Sequence, residues 1–397
     1  MASDEPSSEG INLFDPAVAS CPHATYRRLI DEQPVMRTPL GDGVVISRYE
    51  DVLFALRSPE IFSSEMSEQM ALGTERPMIP QQIDPPEQTR YRKILDPHFS
   101  RKRMRELEPM LRKDSADLID RVIDEGGCEF NRSFAIPLPC QAFLHLMGLP
   151  SEELDLFLEL KDGIIRPHMQ TDDLDEAAKI RAATGKRIYE YFDRLIEERR
   201  RVPREDMMGH LLNAEVQGEK LSQNEILDIC YLFLLAGLDT VTAALGCNIA
   251  YLASNADQRR SLVGDLGQMD SAVEELLRWE TPVVAVPRVV KRDCEVGGVE
   301  IKQGDMVMLL LGAANVDPAE FDSADTVDLE RGRNRQIAFG SGPHRCLGSH
   351  LARLELSVAM EEWHRRIPEY SVKAGESPIY SSGIREVQYL PLTWDRG

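Results

Sequence analysis

The alternation of apolar and charged positions predicts a largely helical chain. Apolar side chains recur at helical spacing among dense charges in three stretches, residues 103–125, 152–162 and 176–201. Ser222-Gln-Asn-Glu225 has the pattern of a capping box, and the apolar residues after it predict a long helix to about Leu252. Another helix is predicted over 269–279, because Thr281-Pro282 disfavours its continuation.

Strand signals are fewer. The pattern predicts two short strands and one hairpin with a Gly297-Gly298 turn: Gly43–Ser47, Met306–Leu311, and Cys294–Val296 paired with Val299–Ile301. Turn residues are scattered along the chain and do not cluster into a linker. We therefore predict one domain over residues 13–397, mainly α with a minor β region, preceded by a flexible N-terminal tail over residues 1–12.

The charge balance limits the classes of partner. The formal net charge of −21 repels phosphate backbones, so we expect no nucleic-acid partner. The acidic start has no apolar signal segment, and the longest apolar run, Ile229–Leu238, is shorter than the ~20 residues that cross a bilayer. No membrane anchor is therefore expected. Seven scattered cysteines without a CxxC pair indicate a reducing cytoplasm.

A cysteine in a glycine-rich stretch is the strongest chemical signal in the chain. The segment from Phe339 to Gly348 fits the pattern F-x-x-G-x-x-x-C-x-G around Cys346. A helix is predicted to begin near Leu347, and its backbone N–H groups and dipole are expected to lower the thiol pKa. A lone cysteine is usually an apolar filler, but this pattern should arise by chance in roughly one in a thousand such chains.

This segment resembles the haem-binding loop of cytochromes P450. The resemblance extends from about Phe14 to Trp394 and implies the cytochrome P450 fold. It also implies haem b as cofactor, Cys346 as the axial ligand of the haem iron, and three further cofactor contacts, Phe339, Gly340 and Gly348.

A second motif, Ala236-Gly-Leu-Asp-Thr240, lies within the long predicted helix. A glycine there costs ~1 kcal/mol relative to alanine, and a threonine hydroxyl can bond to the preceding turn and loosen the helix. A helix irregularity without function, in which Asp239 is exposed to solvent, would be compatible with the same sequence. The motif resembles the oxygen-activation motif of the family. That resemblance implies cofactor contacts from Ala236 and Gly237, and catalytic roles for Thr240 in oxygen activation and Asp239 in proton delivery.

Glu275 and Arg278 lie three residues apart on one predicted helix face, which permits an ion pair. Glu197 and Arg200 share this spacing, so only the position in the chain selects the first pair. In the family such a pair is structural, and Arg331 is the best match to its third partner.

Haem carries two propionates, which require cations or hydrogen-bond donors. Arg92, Arg288 and His344 resemble the family's propionate contacts. Gln88 stands where many members have histidine, which implies a weaker contact. The alternative for each of these cations is an ordinary solvated or loop residue.

The family's substrate pocket falls on mainly aliphatic positions of this chain: Leu232, Phe233, Ala236, Val283, Val284, Val286 and Ile384. Such a pocket favours a hydrophobic small molecule of the terpenoid, steroid or fatty type. The resemblance implies hydroxylation of a C–H bond by a monooxygenase that takes O₂ and two electrons.

No reductase, flavin or iron–sulfur motif accompanies these features, so the electrons must come from another protein. For the family this implies a ferredoxin with an NAD(P)H-dependent ferredoxin reductase. The docking site is predicted at a local basic cluster, Arg101, Lys102, Arg103, Arg105 and Arg345. A solvated basic face is the alternative reading of these residues.

Three other functions compete with this interpretation. A peroxide-using relative typically lacks the acid–threonine pair, so Asp239-Thr240 argues against it. A haem-binding sensor or carrier would consume no O₂ with substrate and electron donors. A helical protein with Cys346 as a core thiol would be colourless.

Overall fold

The computed structural model describes residues 16–38, 43–65, 72–74, 76–167, 170–171, 173–216, 218–381 and 384–396. The predicted tail over residues 1–12 lies outside them. The chain is mainly helical, as predicted. The helices are α1 Pro16–Ser20, α2 His23–Glu32, α3 Tyr49–Arg57, α4 Glu87–Leu95, α5 Arg101–Arg105, α6 Glu108–Asp120, α7 Pro137–Met147, α8 Leu154–Ile165, α9 Leu174–Arg201, α10 Met207–Asn213, α11 Gln223–Leu238, α12 Thr240–Ser254, α13 Ala256–Gly264, α14 Met269–Glu280, α15 Leu311–Ala314 and α16 Ser349–Arg366.

The strands are short and form small sheets. They are β1 Val35–Arg37, β2 Gly43–Ile46, β3 Phe62–Ser63, β4 Gly127–Glu129, β5 Glu215–Val216, β6 Glu219–Lys220, β7 Val286–Val290, β8 Cys294–Val296, β9 Val299–Ile301, β10 Met306–Leu309, β11 Ser371–Val372, β12 Ile379–Tyr380, β13 Val387–Tyr389 and β14 Pro391–Thr393. The largest sheet has the order β1-β2-β10-β7-β3, with β10 parallel to β2 and the other pairs antiparallel. The predicted hairpin is β8–β9.

The helical stretch predicted over 103–125 is divided into separate helices in the structure. The structure has α5 to Arg105 and a separate α6 from Glu108 to Asp120. Pro109 is the second residue of α6, where its missing N–H and fixed φ suit a helix start and not a helix interior. The predictions over 152–162 and 176–201 agree with α8 and α9.

The long apolar helix begins with the predicted capping box. Glu225 N–H donates to Ser222 Oγ at 3.3 Å, and Ser222 N–H donates to Glu225 Oε2 at 2.6 Å. By length and composition the stretch Gln223–Ser254 could cross a membrane. The sequence analysis did not show this, because it considered only the uninterrupted apolar run Ile229–Leu238. However, 83% of the most apolar window of Gln223–Ser254 is buried inside the protein. A helix at the centre of a folded core passes the same test.

Two element ends differ from the predictions around the central cavity. β10 ends at Leu309 and not at Leu311, because Leu311 already begins α15. The helix after Cys346 begins at Ser349, not near Leu347, with Gly348 as its N-cap. Cys346 therefore lies in the loop before the helix.

Candidate functional site

A cavity of about 420 Å³ lies between α11, α12, α16, β7 and the loop that carries Cys346. Its walls are mostly apolar. Among the described residues, the polar side chains in these walls are Gln81, Gln88, Arg92, Thr240, Arg288, His344, Arg345, Cys346 and Glu355. The cavity thus brings together the motifs that the sequence placed far apart along the chain.

Backbone hydrogen bonds shape the cysteine loop. Cys346 N–H donates to Phe339 O at 2.8 Å, and Gly340 N–H donates to Ile337 O at 2.8 Å. Gly342 has a φ of 68°, and a Cβ on it would lie 2.5 Å from Leu56 O, so a side chain there would clash with the backbone. The loop therefore closes tightly before Cys346.

The environment of the Cys346 thiol differs from the prediction. Burial raises the pKa of this thiol, and the Gly348 N–H, Arg92 and Arg345 oppose that rise without overcoming it. The Gly348 N–H lowers the pKa, as predicted for the backbone donors after Cys346, but the net shift is upward because burial outweighs it. α16 begins only at Ser349, and the desolvation of a buried thiolate outweighs the donors around it.

The central helix is interrupted at Asp239, between α11 and α12. Thr240 Oγ1 donates to Ala236 O at 3.0 Å, one turn back. Ala236, Gly237 and Thr240 all line the cavity. A Cβ on Gly237 would meet only an ordinary contact at 3.8 Å, with Phe143, so the glycine leaves room towards the cavity.

Asp239 lies behind this interruption and is 1% exposed. Its Oδ1 is 2.8 Å from Arg166 Nη2 and 3.5 Å from Lys161 Nζ, whereas its Oδ2 has no hydrogen-bond partner. Arg166 Nη2 is also 2.7 Å from Glu386 Oε2. An isolated charge would be costly at this depth, and the two cations compensate it. The reading of Asp239 as an exposed residue is excluded.

Sequence reasoning missed Lys161, Arg166 and Glu386. Burial raises the pKa of the Glu386 carboxyl, and Arg166 opposes that rise. Burial lowers the pKa of Arg166, but Asp239 and Glu386 together raise it above its ordinary value. Lys161 stands on the apolar face of α8 beside Leu160 and Ile164. A lysine on the apolar face of a predicted helix indicates that a buried acid lies opposite it, and this was the signal that the sequence offered.

Four residues predicted to contact propionates lie at the cavity. Arg288 is 7% exposed, and burial lowers its pKa to about 10. Burial also lowers the pKa of His344 to about 4, and Nε2 of this ring has no hydrogen-bond partner. Arg92 donates to Arg345 O at 2.9 Å, and Gln88 Nε2 donates to Pro343 O at 2.6 Å.

Asp84 is a further acid beside these residues that sequence reasoning missed. It accepts hydrogen bonds from Ser63 Oγ at 2.6 Å and Ser64 N–H at 2.9 Å, and Lys291 Nζ lies 2.7 Å away. His344 Nε2 is 3.7 Å from Asp84 Oδ1, too far for a hydrogen bond. Asp84 therefore has its own hydrogen-bond partners and acts on His344 and Arg288 only by longer-range attraction, which raises the pKa of both against the effect of burial.

Glu275 lies at the centre of a buried cluster that links α14 to the segment before the cysteine loop. Glu275 and Arg278 side chains are 0% exposed and pair at 2.8 Å. Arg331 Nε donates to Glu275 at 2.9 Å, as the family pattern implied. Asn334 Nδ2 also donates to Glu275, at 3.1 Å, and sequence reasoning missed it.

Five of the seven residues predicted for the substrate pocket line the cavity: Leu232, Phe233, Ala236, Val283 and Val286. Within the part of the chain that the structure describes, Val284 and Ile384 are not in its walls, so their placement there is a wrong prediction. The carbonyl of Val284 accepts a hydrogen bond from Gly312 N–H at 3.1 Å, which ties this residue to α15. Arg385, next to Ile384, is anchored by its N–H to Pro282 O at 2.9 Å. Phe143 and Leu146 of α7 were missed, because only the fold brings α7 to this cavity.

The predicted basic cluster is not one uniform surface. Arg101 and Arg105 line a separate cleft of about 440 Å³ together with His350 and Arg353, on α16 just after the cysteine loop. Arg103 instead lies 3.4 Å from Glu106 and 3.3 Å from the His210 ring. Lys102 and Arg345 are exposed.

Comparisons with known proteins agree with this architecture. The Cytochrome P450 family model matches residues 165–366. The chain is 36% identical to a protein of Sinorhizobium fredii described as probable cytochrome P450 127A1, over 94% of this chain and 90% of that one. It is 34% identical to the steroid C26-monooxygenase of Mycobacterium tuberculosis, over 90% of this chain and 88% of that protein. A cytochrome P450 of Bacillus megaterium, solved in complex with testosterone, superposes with a TM-score of 0.86 at 26% identity. The superposition covers 96% of this chain and 99% of that one. The chain belongs to the cytochrome P450 family of haem-thiolate monooxygenases.

Proposed function

We propose that this protein binds haem b through Cys346 and hydroxylates a C–H bond of a hydrophobic small molecule with electrons from a ferredoxin. One observation carries the proposal. Cys346, Thr240, the buried cation Arg288 and the hydrogen-bond donor His344 all line the same largely apolar cavity. Thiolate-ligated haem supplies the chemistry, namely O₂ activation with two electrons and insertion of one oxygen atom into the substrate.

The donors around the cavity fit a cofactor with two carboxylates. Arg288 is buried, and its guanidinium donates a hydrogen bond to the carbonyl of the preceding residue, Pro287, at 2.7 Å. His344 Nε2 is a buried polar atom without a hydrogen-bond partner. Leaving such groups unpaired is costly, so an anionic group beside them is favoured. We assign Arg92, Gln88, Arg288 and His344 to the propionates.

The cysteine loop fits an iron ligand. Cys346 N–H is already bonded to Phe339 O, and the Gly348 N–H donates to the sulfur, so the backbone orients the thiol. A haem iron held here would be bound by the thiolate form of Cys346, which the Gly348 N–H, Arg92 and Arg345 favour. Phe339, Gly340 and Gly348 line the cavity beside the sulfur. We assign Glu275, Arg278 and Arg331 to holding this loop in place.

Thr240 and Asp239 are assigned to proton delivery. Thr240 Oγ1 donates its proton to Ala236 O, so its oxygen remains able to accept a hydrogen bond inside the cavity. Asp239 Oδ2 has no partner and is the atom at which this carboxylate takes up a proton. When it does, Arg166 keeps a carboxylate partner in Glu386. The network therefore tolerates a neutral Asp239 without leaving a buried cation unpaired.

The cavity walls support a hydrophobic substrate of the terpenoid, steroid or fatty type. Leu232, Phe233, Val283 and Val286 are apolar and lie in the same wall region as Thr240. A steroid C26-monooxygenase and a structure solved with testosterone are among the proteins similar to this chain. Of these classes, the steroid-like molecule has the most support.

An acidic ferredoxin fits the face on which Arg101, Arg105, His350 and Arg353 meet. The cleft also holds Glu108, Asp270, Glu274 and Glu361, and Arg353 pairs with Glu274. Orientation of a negatively charged partner at this place would therefore rest on the exposed Arg101 and Arg105. Arg345 extends the same face at the cysteine loop. We further propose that this is a cytoplasmic protein with a single domain over residues 13–397.

A reduced, CO-bound difference spectrum tests the cofactor assignment directly. We expect a strongly red-shifted Soret band for the purified protein and its loss in Cys346→His. A His-type band in the wild-type protein would overturn the assignment of Cys346 as ligand. A spin-state screen of steroids, terpenoids and fatty acids then tests the substrate class, and a response to none of them would reject it.

A further inference from the structure

A charged residue of α16 lies against the ring of Phe339, on the cysteine side of the cavity. This residue is Arg353, in the second turn of the helix that follows Cys346. Its guanidinium lies 4.3 Å from the centre of the Phe339 ring, within the range of a cation–π contact. The carbonyl of Phe339 accepts the hydrogen bond from Cys346 N–H. Arg353 thus places a positive charge on the ring of a residue that is bonded directly to the iron ligand's backbone.

An ion pair with α14 fixes the position of this guanidinium. Arg353 Nε and Nη2 both contact the Glu274 carboxylate, the second at 3.0 Å, which is the two-point geometry that a guanidinium offers to a carboxylate. The Glu274 side chain is 26% exposed and the Arg353 side chain 36%, so solvent screens the pair only in part. A freely solvated arginine would sample many positions, whereas this one is held against the ring.

Glu274 is also connected to the segment that carries the ring. Gln336 Nε2 donates to Glu274 Oε2 at 3.0 Å, and Gln336 Oε1 accepts a hydrogen bond from Ala338 N–H at 2.6 Å. Ala338 is the residue before Phe339. One carboxylate therefore fixes both the cation and the chain on which the aromatic ring stands.

The positive charge of Arg353 also acts on the sulfur. It lowers the pKa of the Cys346 thiol against the effect of burial, as Arg92 and Arg345 do. Arg92 is assigned to a propionate, and Arg345 is exposed. Arg353 differs from both, because it has no place among the cofactor contacts and is nevertheless held by a carboxylate and a ring.

We propose that Arg353, held against the Phe339 ring by Glu274, weakens electron donation by the Cys346 thiolate and thereby raises the reduction potential of a haem bound through it. A cation near the sulfur stabilises negative charge there, so less electron density reaches the iron. Reduction by one electron adds a negative charge at this centre, and a nearby cation favours the reduced state.

Arg353 and Glu274 are positioning residues in this role, because neither lines the central cavity and both act through Phe339 and the field at Cys346. Hydrogen bonds and charges around a metal ligand tune the metal in this way in other sites. The proposal rests on the proposed function, since it requires a haem ligated by Cys346.

Spectroelectrochemical titration of the haem-loaded protein without substrate measures the potential. For Arg353→Met we expect the ferric–ferrous equilibrium to shift about tenfold towards the ferric form, which is a fall of about 59 mV for a one-electron couple. The C–O stretching frequency of the reduced, CO-bound protein should fall as well, because a stronger thiolate donor passes more electron density to the CO. A purely structural ion pair would move neither of these readouts.

Arg101→Met is the matched control. Arg101 is exposed in the same cleft as Arg353 and loses the same charge, so its removal should leave the potential close to that of the wild type. Arg353→Lys keeps the charge without the two-point contact and should restore at least half of the lost potential. An equal fall in Arg101→Met would overturn the proposal, and so would an Arg353→Lys potential as low as that of Arg353→Met.

Glu274→Ala separates positioning from charge by the sign of its effect. Loss of a negative charge alone would raise the potential, whereas release of Arg353 from the ring should lower it, and we expect a fall. A rise in this variant, or an unchanged potential in Arg353→Met, would contradict the proposal. A thiolate-type CO band in every variant shows that the ligand is intact, whereas its absence from the wild-type protein would instead reject the proposed function.

Discussion

The guanidinium of Arg166 contacts Asp239 at 2.8 Å within the protein, directly behind the interruption of the central helix. This contact allows an acid at 1% exposure to persist beside the cavity. It also means that the proton-delivery role proposed for Asp239 depends on charges from α8 and from the C-terminal region. Removing one of these charges should therefore also alter the function of Thr240, the residue that follows Asp239.

Asp239→Asn should retain the thiolate spectrum but slow product formation roughly 10²-fold, because an amide cannot relay a proton. Turnover with a substrate from the spin-state screen measures this change. Asp162→Asn is the control, since Asp162 contacts the same Arg166, at 3.3 Å, but is 47% exposed. Equal losses in the two variants would show that the network, and not the proton on Asp239, limits the rate.

Thr240→Ala should bind haem normally and divert electrons from product to peroxide, because the hydroxyl that lines the cavity is lost. The ratio of peroxide formed to NAD(P)H consumed measures the diversion. Thr242→Val is the control, because it removes a similar hydroxyl, hydrogen-bonded to Leu238 O at 2.9 Å, from a residue that is not among the described residues of the cavity wall. Unchanged coupling in Thr240→Ala would remove Thr240 from the mechanism.

Glu275→Gln should lower the free energy of unfolding by about 3–5 kcal/mol, because two guanidiniums lose their buried carboxylate. Urea unfolding of the haem-loaded protein at pH 7 measures the loss. Glu197→Gln is matched in spacing, since Glu197 and Arg200 also lie three residues apart, but this pair is exposed. Its removal should cost less than about 1 kcal/mol. A similar small cost for Glu275→Gln would contradict the structural role.

Glu355 gives a prediction of pH dependence. Burial raises the pKa of this carboxyl well above 4.5, and its Oε2 has no hydrogen-bond partner. The folded protein therefore holds a proton that the unfolded chain releases above about pH 4.5. The resulting stabilisation is complete below that pH and is lost as the pH rises through the folded pKa. Glu355→Gln should abolish this loss, so its unfolding free energy should exceed that of the wild type increasingly between pH 5 and 8. If the unfolding free energies of the two proteins changed in parallel with pH, the assignment of Glu355 as a buried, protonated carboxyl would be refuted.

Charge reversal on the basic cluster should distinguish its two parts. Arg105→Glu should raise the KM for an acidic ferredoxin about tenfold and reduce its salt dependence, because Arg105 lies in the cleft beside His350 and Arg353. Arg103→Glu should have a smaller effect, since Arg103 is engaged with Glu106 and His210. Steady-state reduction at several ionic strengths measures both. Equal effects would place docking over the whole of α5.

The amino-acid sequence by itself determined the class of the protein and the chemistry at its centre. Cys346 and the Asp239-Thr240 pair are recognised from local patterns, because glycine turns, helix spacing and a capping box are short-range features. The same holds for α9 and the β8–β9 hairpin. Glu275 and Arg278 required in addition their position relative to these motifs, since their spacing alone is not specific. Failures at the local level were few, such as the helix start at Ser349 and the break before Pro109.

Only the tertiary structure decided which charges face one another. Lys161 and Arg166, at the end of α8, meet Asp239 of the central helix, and Arg166 also contacts Glu386 near the C-terminus. Arg76 meets Asp228 from a similarly distant part of the chain. A charged residue in the sequence looks the same whether it is solvated or buried. Its partner is selected by the requirement that a buried charge be compensated, and that requirement acts only once the core has excluded water.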